Sequence, residues 1–109
     1  MTDREMIDLA AKAAGITLEY RHGSDAYYYD DPDTGREEWN PILNDGQSLR
    51  LAVKCGISIY AGTYRAGCDV VPQEDEGNIV TNENYDDDPY AATRKAITRA
   101  AAEIGKAMP

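Results

Sequence analysis

The final stretch of the chain, residues 88–108, constrains the fold most, because it is the strongest helix signal in the sequence. Asp88 is a suitable N-cap, and Pro89 fits the first helical position, where its missing N–H costs nothing. Apolar residues recur at steps of three, four and seven, which predicts one buried stripe made of Tyr90, Ile97, Ala100, Ala101, Ile104 and Met108. We therefore predict that this helix covers a small sheet, with Tyr90, Ile97 and Ile104 as anchors.

The length and composition predict one folded domain over residues 1–109. Hydrophobic residues make up 42% of the chain and charged residues 28%, as in ordinary globular proteins. No apolar run is long enough to span a membrane, and the polar residues 1–6 open a helix rather than a signal peptide. Cys55 and Cys68 have no Cys-x-x-Cys spacing, and in a chain without an export signal they are expected to be reduced thiols. These features predict a cytoplasmic protein.

The formal net charge of −9 bears on the class of partner. Nucleic-acid binding needs a basic surface that releases counterions, so direct contact with nucleic acid is not expected. Anionic membranes are disfavoured for the same reason. The acidity permits a basic protein partner, or it serves solubility alone.

The order of predicted elements is helix, strands, helix, strands, helix. A capping box, Thr2 with Glu5, opens a first helix that ends near Ala14, and Gly15 stops it. Asp45 is the predicted N-cap of a second helix with Leu49, Ala52 and Val53 on its buried face. The strands are predicted at residues 16–21, 26–30, 36–40, 57–64, 69–71 and 79–81. This order predicts the α+β class, with a small, mainly antiparallel sheet packed with three helices in a sandwich-like arrangement. Trp39 is the predicted anchor of the third strand.

Residues 69–88 are the most biased stretch, with eight acidic residues and no basic one. We predict that this stretch is an acidic, mobile insert within the domain.

Two segments carry a resemblance to a known family. The first is Trp39-Asn40-Pro41, a short polar turn, Asp45-Gly46 and then residues 49–54; the second is the closing segment 88–96. With the order of elements, they resemble small phage and prophage proteins of the "phage ABA sandwich" type, over residues 2–108. The resemblance implies an α/β/α sandwich and a phage-encoded or prophage-encoded protein of unassigned function. It brings no catalytic residues, and the acidic insert after Tyr64 departs from the pattern.

Catalytic and metal sites are not predicted. His22 is the single histidine and lies in a turn, where adjacent Ser24 and Asp25 do not make a triad. Counted from Asp31 as a calcium loop, the sixth position is Arg36 and the twelfth is Ile42, where glycine and glutamate are needed. We therefore expect no enzyme activity, no metal and no cofactor.

An interaction surface is the more specific expectation. Tyr27, Tyr28 and Tyr29 alternate across a strand, so one set faces the core and the other is exposed. Exposed aromatic residues with flanking acids, here including Asp86 and Asp87, are typical of protein recognition, although sheet packing also explains the tyrosines.

Three hypotheses follow. The first is a non-enzymatic accessory protein that binds a basic surface of a host or phage protein, in its sharper version as a nucleic-acid mimic or inhibitor. The second is a small metal-dependent enzyme that uses clustered carboxylates. The third is a structural protein that self-associates through a tyrosine-bearing sheet face or edge.

Overall fold

The computed structural model describes residues 1–70 and 79–109. This part of the chain holds three helices and two antiparallel three-stranded sheets. The elements are α1 Asp3–Ala14, β1 Glu19–Arg21, β2 Ala26–Asp31, β3 Gly35–Glu38, α2 Asp45–Cys55, β4 Ser58–Ala61, β5 Arg65–Val70, β6 Ile79–Asn84 and α3 Pro89–Ala107. The α+β class and the predicted order of helices and strands are confirmed, with the strands divided between two sheets.

The first helix has the ends that its sequence predicts. The Thr2 hydroxyl accepts a hydrogen bond from the Glu5 N–H at 3.1 Å, which satisfies one free donor of the first turn. Gly15 takes the left-handed conformation with φ of 72°, and Ile16 N–H donates to the Ala11 carbonyl at 2.9 Å. This glycine cap ends the helix and redirects the chain toward β1.

The last helix, α3, is the centre of the fold, since it packs against α1, α2, β5 and β6. Its buried residues are mostly small: Ala92, Ala96, Ile97, Thr98, Ala100, Ala101, Ala102 and Gly105. Ile97 is buried, and Ile104 is half-buried against the core. The prediction that Tyr90 is a buried anchor of this helix is wrong, because its side chain is 72% exposed. Tyr90 lies two turns before Ile97 on the same side, in the first turn of α3, where Asp88 and Pro89 are also exposed.

The helices α1 and α3 come into backbone contact at Gly105. A Cβ atom added there would overlap the Leu9 carbonyl oxygen and lie 2.8 Å from the Leu9 carbonyl carbon. Ala10 on α1 and Ala101 on α3 are also fully buried. Small side chains therefore allow this close approach.

The second helix, α2, buries Ala52 as predicted, but the other two residues of its predicted buried face are exposed. Leu49 and Val53 are 59% and 75% exposed, whereas Leu51 is buried. The reason is Gln47, which is also buried and whose amide bonds to the last residue of β3 and to the chain just after it. Its Nε2 donates to the Glu38 carbonyl at 2.7 Å and its Oε1 accepts from Asn40 N–H at 2.6 Å. The N-cap is Asn44 rather than Asp45.

The first sheet has the strand order β1-β2-β3, with Tyr20 opposite Tyr27 and Tyr29 opposite Glu37. None of its strand residues is fully buried. The sheet is attached to the core through Trp39, which is only 3% exposed and directly follows β3, and through Tyr27 and Tyr29, which pack against the core cluster.

The second sheet has the order β4-β5-β6 and lies against α3. Cys68 and Thr81 face each other in its register and are buried, and the Thr81 hydroxyl donates to the Ala96 carbonyl at 2.8 Å. Two parts of the predicted insert belong to this sheet, since Asp69 lies in β5 and residues 79–84 form β6, and residues 85–88 form the turn before α3. Residues 71–78 of the insert lie outside the described residues, so the mobility of the insert stays a prediction.

Candidate functional site

The first sheet is where tyrosines and acidic residues come together. Residues 16–40, which include β1, β2 and β3, carry seven acidic residues and two basic ones. Tyr28 lies at the centre of the solvent-facing side, with Glu19 and Glu38 opposite it on the neighbouring strands. The Arg21 guanidinium lies 4.6 Å from the centre of the Tyr28 ring. We call this sheet, formed by β1, β2 and β3, the acidic sheet.

Tyr29, on the other face of β2, is held by two carboxylates. Its hydroxyl lies 2.7 Å from Glu37 Oε1 and 3.1 Å from Asp31 Oδ2. Burial, together with these hydrogen bonds to Glu37 and Asp31, raises the pKa of Tyr29. The Asp31 carboxylate also accepts the N–H groups of Asp33 and Thr34, which lower its pKa. The network holds the β2–β3 turn in one shape.

A second network joins the acidic sheet to α1. The Arg4 guanidinium lies 3.9 Å from the centre of the Tyr20 ring, and the Tyr20 hydroxyl donates to Asp25. The Tyr20 and Tyr27 rings are 5.3 Å apart. Beside them is a cavity of about 200 Å³ whose walls include Asp3, Glu38 and the buried Trp39. A cation over an aromatic face with carboxylates around it is a favourable arrangement, and Arg4 supplies that cation within the chain.

A larger cleft of about 450 Å³ opens where β1 separates from β2. The predicted strand at residues 16–21 pairs only from Glu19 onward. Before it, Ile16 and Leu18 pack against the core cluster, which draws the chain away from β2. The cleft is therefore bounded by residues 15–19 on one side and by Tyr28 to Asp30 on the other. Arg36 bridges its walls through ion pairs with Glu19 and Asp30.

The predicted candidate residues fall into two groups in the structure. Tyr27, Tyr28 and Tyr29 are all half-buried on the central strand of the acidic sheet. Asp86 and Asp87 are exposed in the turn between β6 and α3, and the contacts found for the described residues do not join them to the tyrosines. Tyr20 and Arg4 were not singled out from the sequence, although alternation in residues 16–21 could have placed Tyr20 on a face with Tyr27.

The polar residues considered for catalysis have other partners. Tyr28 donates to the Ser24 hydroxyl at 3.4 Å, and Asp25 accepts from Tyr20. His22 contacts the Tyr20 ring edge, with ring centres 4.7 Å apart. Across residues 1–70 and 79–109, no group of three or more His, Cys, Asp or Glu side chains is arranged to hold a metal ion. In the same ranges, no helix has both the length and the apolar character of a membrane span.

Comparisons with protein-family models, with curated proteins and with solved structures found no match to this chain.

Proposed function

We propose that this chain is a non-enzymatic accessory protein that binds a basic surface of another protein through the acidic sheet. The phage or prophage origin implied by the sequence resemblance is part of this proposal, as is a bacterial host or phage protein as the partner. The observation that carries the proposal is the position of Tyr28 between Glu19 and Glu38 on a solvent-facing strand surface. Tyrosine is enriched at protein interfaces, and a carboxylate can bind an arginine of the partner through strong, often bidentate hydrogen bonds.

The charge distribution supports the basic character of the partner. The stretch 16–40, counted over both faces of the sheet and its turns, has a net charge of −5 from seven acidic and two basic residues, out of −9 for the chain. On the Tyr28 face, Arg36 pairs with Glu19 and Asp30, and Glu38 adds an exposed carboxylate. Clustered charge of one sign raises the rate of encounter with a surface of opposite sign, and salt screens this attraction. Binding that weakens with salt is therefore expected.

The test is capture of partners from bacterial lysate by the immobilised protein at low and at high salt. Glu38→Lys reverses an exposed charge next to Tyr28, and Asp8→Lys makes the same change in charge at an exposed position on α1. We expect Glu38→Lys to lose the salt-sensitive partner and Asp8→Lys to keep it. Equal loss in both variants would show that net charge alone, and not the acidic sheet, is responsible.

The nucleic-acid mimic is the sharper form of this proposal. It predicts that the captured protein is a nucleic-acid-binding protein and that heparin, a soluble polyanion, releases it. A captured protein that stays bound in heparin but is released by Tyr28→Ala would support recognition by shape and aromatic contact instead.

A further inference from the structure

Among residues 1–70 and 79–109, the β4 strand forms an exposed sheet edge without the usual protection. Its four residues, Ser58 to Ala61, are all exposed, with Tyr60 at 60%. No charged residue occurs from Ile57 to Tyr64. Proteins commonly protect edge strands with charged side chains, prolines or bulges, because an open edge offers backbone groups to another strand.

The hairpin that joins β4 to β5 shows which backbone groups point outward. Gly62 N–H donates to the Arg65 carbonyl at 3.1 Å, so the Gly62–Arg65 pair is a hydrogen-bonded pair. Such pairs alternate along an antiparallel ladder, so Tyr60 bonds to Gly67 within the sheet. The N–H and C=O groups of Ile59 and Ala61 consequently point away from β5, toward the open edge.

We propose that β4 pairs with β4 of a second copy of this chain, antiparallel and with Tyr60 opposite Tyr60 of that copy, so that the two second sheets form one six-stranded sheet. A two-fold axis normal to the sheet keeps the helices of both copies on one face. With this axis, directly opposed side chains of the two β4 strands point to the same face of the sheet only if one residue of β4 lies opposite the same residue of the second copy. The register is therefore limited to a few choices.

Hydrogen bonding selects one of these registers. Pairing at Tyr60 places Ile59 opposite Ala61 of the second copy, so all the outward backbone groups find partners. Pairing at Ile59 would need the N–H of Ile57, which already donates to the Ala52 carbonyl at 2.8 Å. Pairing at Ala61 would need Thr63, which lies in the hairpin turn.

The side chains are complementary in the same register. Ile59, a large residue, faces the small Ala61 on the helix side, and the two Tyr60 rings meet on the other side. Ser58 of one copy faces Gly62 of the other, and on β5 these positions continue to Asp69 and Arg65. Asp69 of each copy thus shares a row with Arg65 of the other, with only small residues between them. Two copies with a net charge of −9 each therefore meet along an uncharged strand flanked by opposite charges.

Sedimentation equilibrium over a range of protein concentrations tests the pairing. We expect the wild type to reach twice the 12.0 kDa mass of one chain. Ala61→Pro removes an outward N–H from each copy and should weaken the dimer about tenfold or more. Val80→Pro, at an exposed position on the opposite edge strand β6, is the matched control and should leave the dimer unchanged. A wild type that stays monomeric at its solubility limit, or a dimer that survives Ala61→Pro, would overturn the proposal.

Charge variants at Tyr60 test the register, and they keep the test valid if Ala61→Pro fails to fold. Tyr60→Lys and Tyr60→Glu should each be monomeric, since like charges would face each other. An equal mixture of the two should form mixed dimers. Failure of the mixture to associate would refute the Tyr60 register.

Discussion

The two sheets of this protein have the same number of strands and the same antiparallel order, but they differ in the charge of their edges and in the burial of their central residues. The acidic sheet has charged edges, with Glu19 and Arg21 on β1 and three charged residues on β3, and half-buried tyrosines at its centre. The second sheet has an uncharged edge and buries Cys68 and Thr81 beneath α3. The comparison shows that the two sheets of one small domain differ in what they contribute to the core and to the surface. The second sheet adds Ala66 and Cys68 to a core made mostly by the helices, whereas the first sheet reaches that core through half-buried tyrosines and supplies a charged surface.

The largest effect should come from breaking the core that the second sheet shares with α3. Ile97 is 3% exposed, so Ile97→Asp places an unpaired charge in an apolar site. Because a domain of this size is stable by only about 5–15 kcal/mol, we expect the whole chain to unfold. Circular dichroism and a urea titration check this outcome. A soluble Ile97→Asp protein with a cooperative transition would contradict the central place of α3.

Trp39→Ala should have the next largest effect, because this residue attaches the acidic sheet to the core. Loss of a buried tryptophan costs about 3–5 kcal/mol. If the two sheets are as different as we describe, amide exchange in β1, β2 and β3 should rise more than in β4, β5 and β6. Equal acceleration in both sheets would mean that they unfold as one unit.

A matched pair of hydroxyl deletions compares the sheets directly. Thr81→Val removes the buried hydrogen bond to the Ala96 carbonyl and should cost about 1 kcal/mol. Tyr29→Phe removes bonds to Glu37 and Asp31, whose carboxylates are near solvent, and should cost less than about 1 kcal/mol. Urea unfolding midpoints measure both. The reverse order would show that the acidic sheet is the more tightly held of the two.

The smallest effect is a dependence of stability on pH in the acidic sheet. Asp31 has a pKa lowered from its ordinary value of 3.8 by the N–H groups of Asp33 and Thr34. Its carboxylate therefore stabilises the fold above that value, and the contribution is lost as the pH falls through the lowered pKa. Asp31→Asn keeps a hydrogen-bond acceptor and lacks the charge. The difference in unfolding midpoint between wild type and variant should shrink as the pH falls from neutral through the lowered pKa of Asp31.

Local features of the fold could be predicted from the sequence because they depend on neighbouring residues. The caps at Thr2, Gly15 and Asp88 are examples, and all three are observed. The buried face of α2 could not be predicted in this way. Gln47 is buried because its amide bonds to the backbone of Glu38 and Asn40, at the end of β3 and just after it. Hydrophobic periodicity carries no information about such hydrogen-bond partners.

The candidate site shows the same division. The sequence pattern predicts a strand at Tyr27, Tyr28 and Tyr29, and these residues lie on β2. The grouping of Tyr29 with Glu37 depends on the register between β2 and β3, which a single sequence leaves open. The exposure of Tyr90 depends on which part of α3 the other elements cover, which is a property of the whole fold.

The backbone contact between Gly105 and Leu9 has a consequence for how the chain folds during synthesis. The main neighbour of α1 is α3, which is synthesised after the other described elements. The α1 helix therefore lacks that partner until α3 has left the ribosome. A nascent chain truncated before Pro89 should therefore remain protease-sensitive and resemble an unfolded chain. The long sequence separation of this contact also predicts slower folding than for a bundle whose adjacent helices pair in sequence.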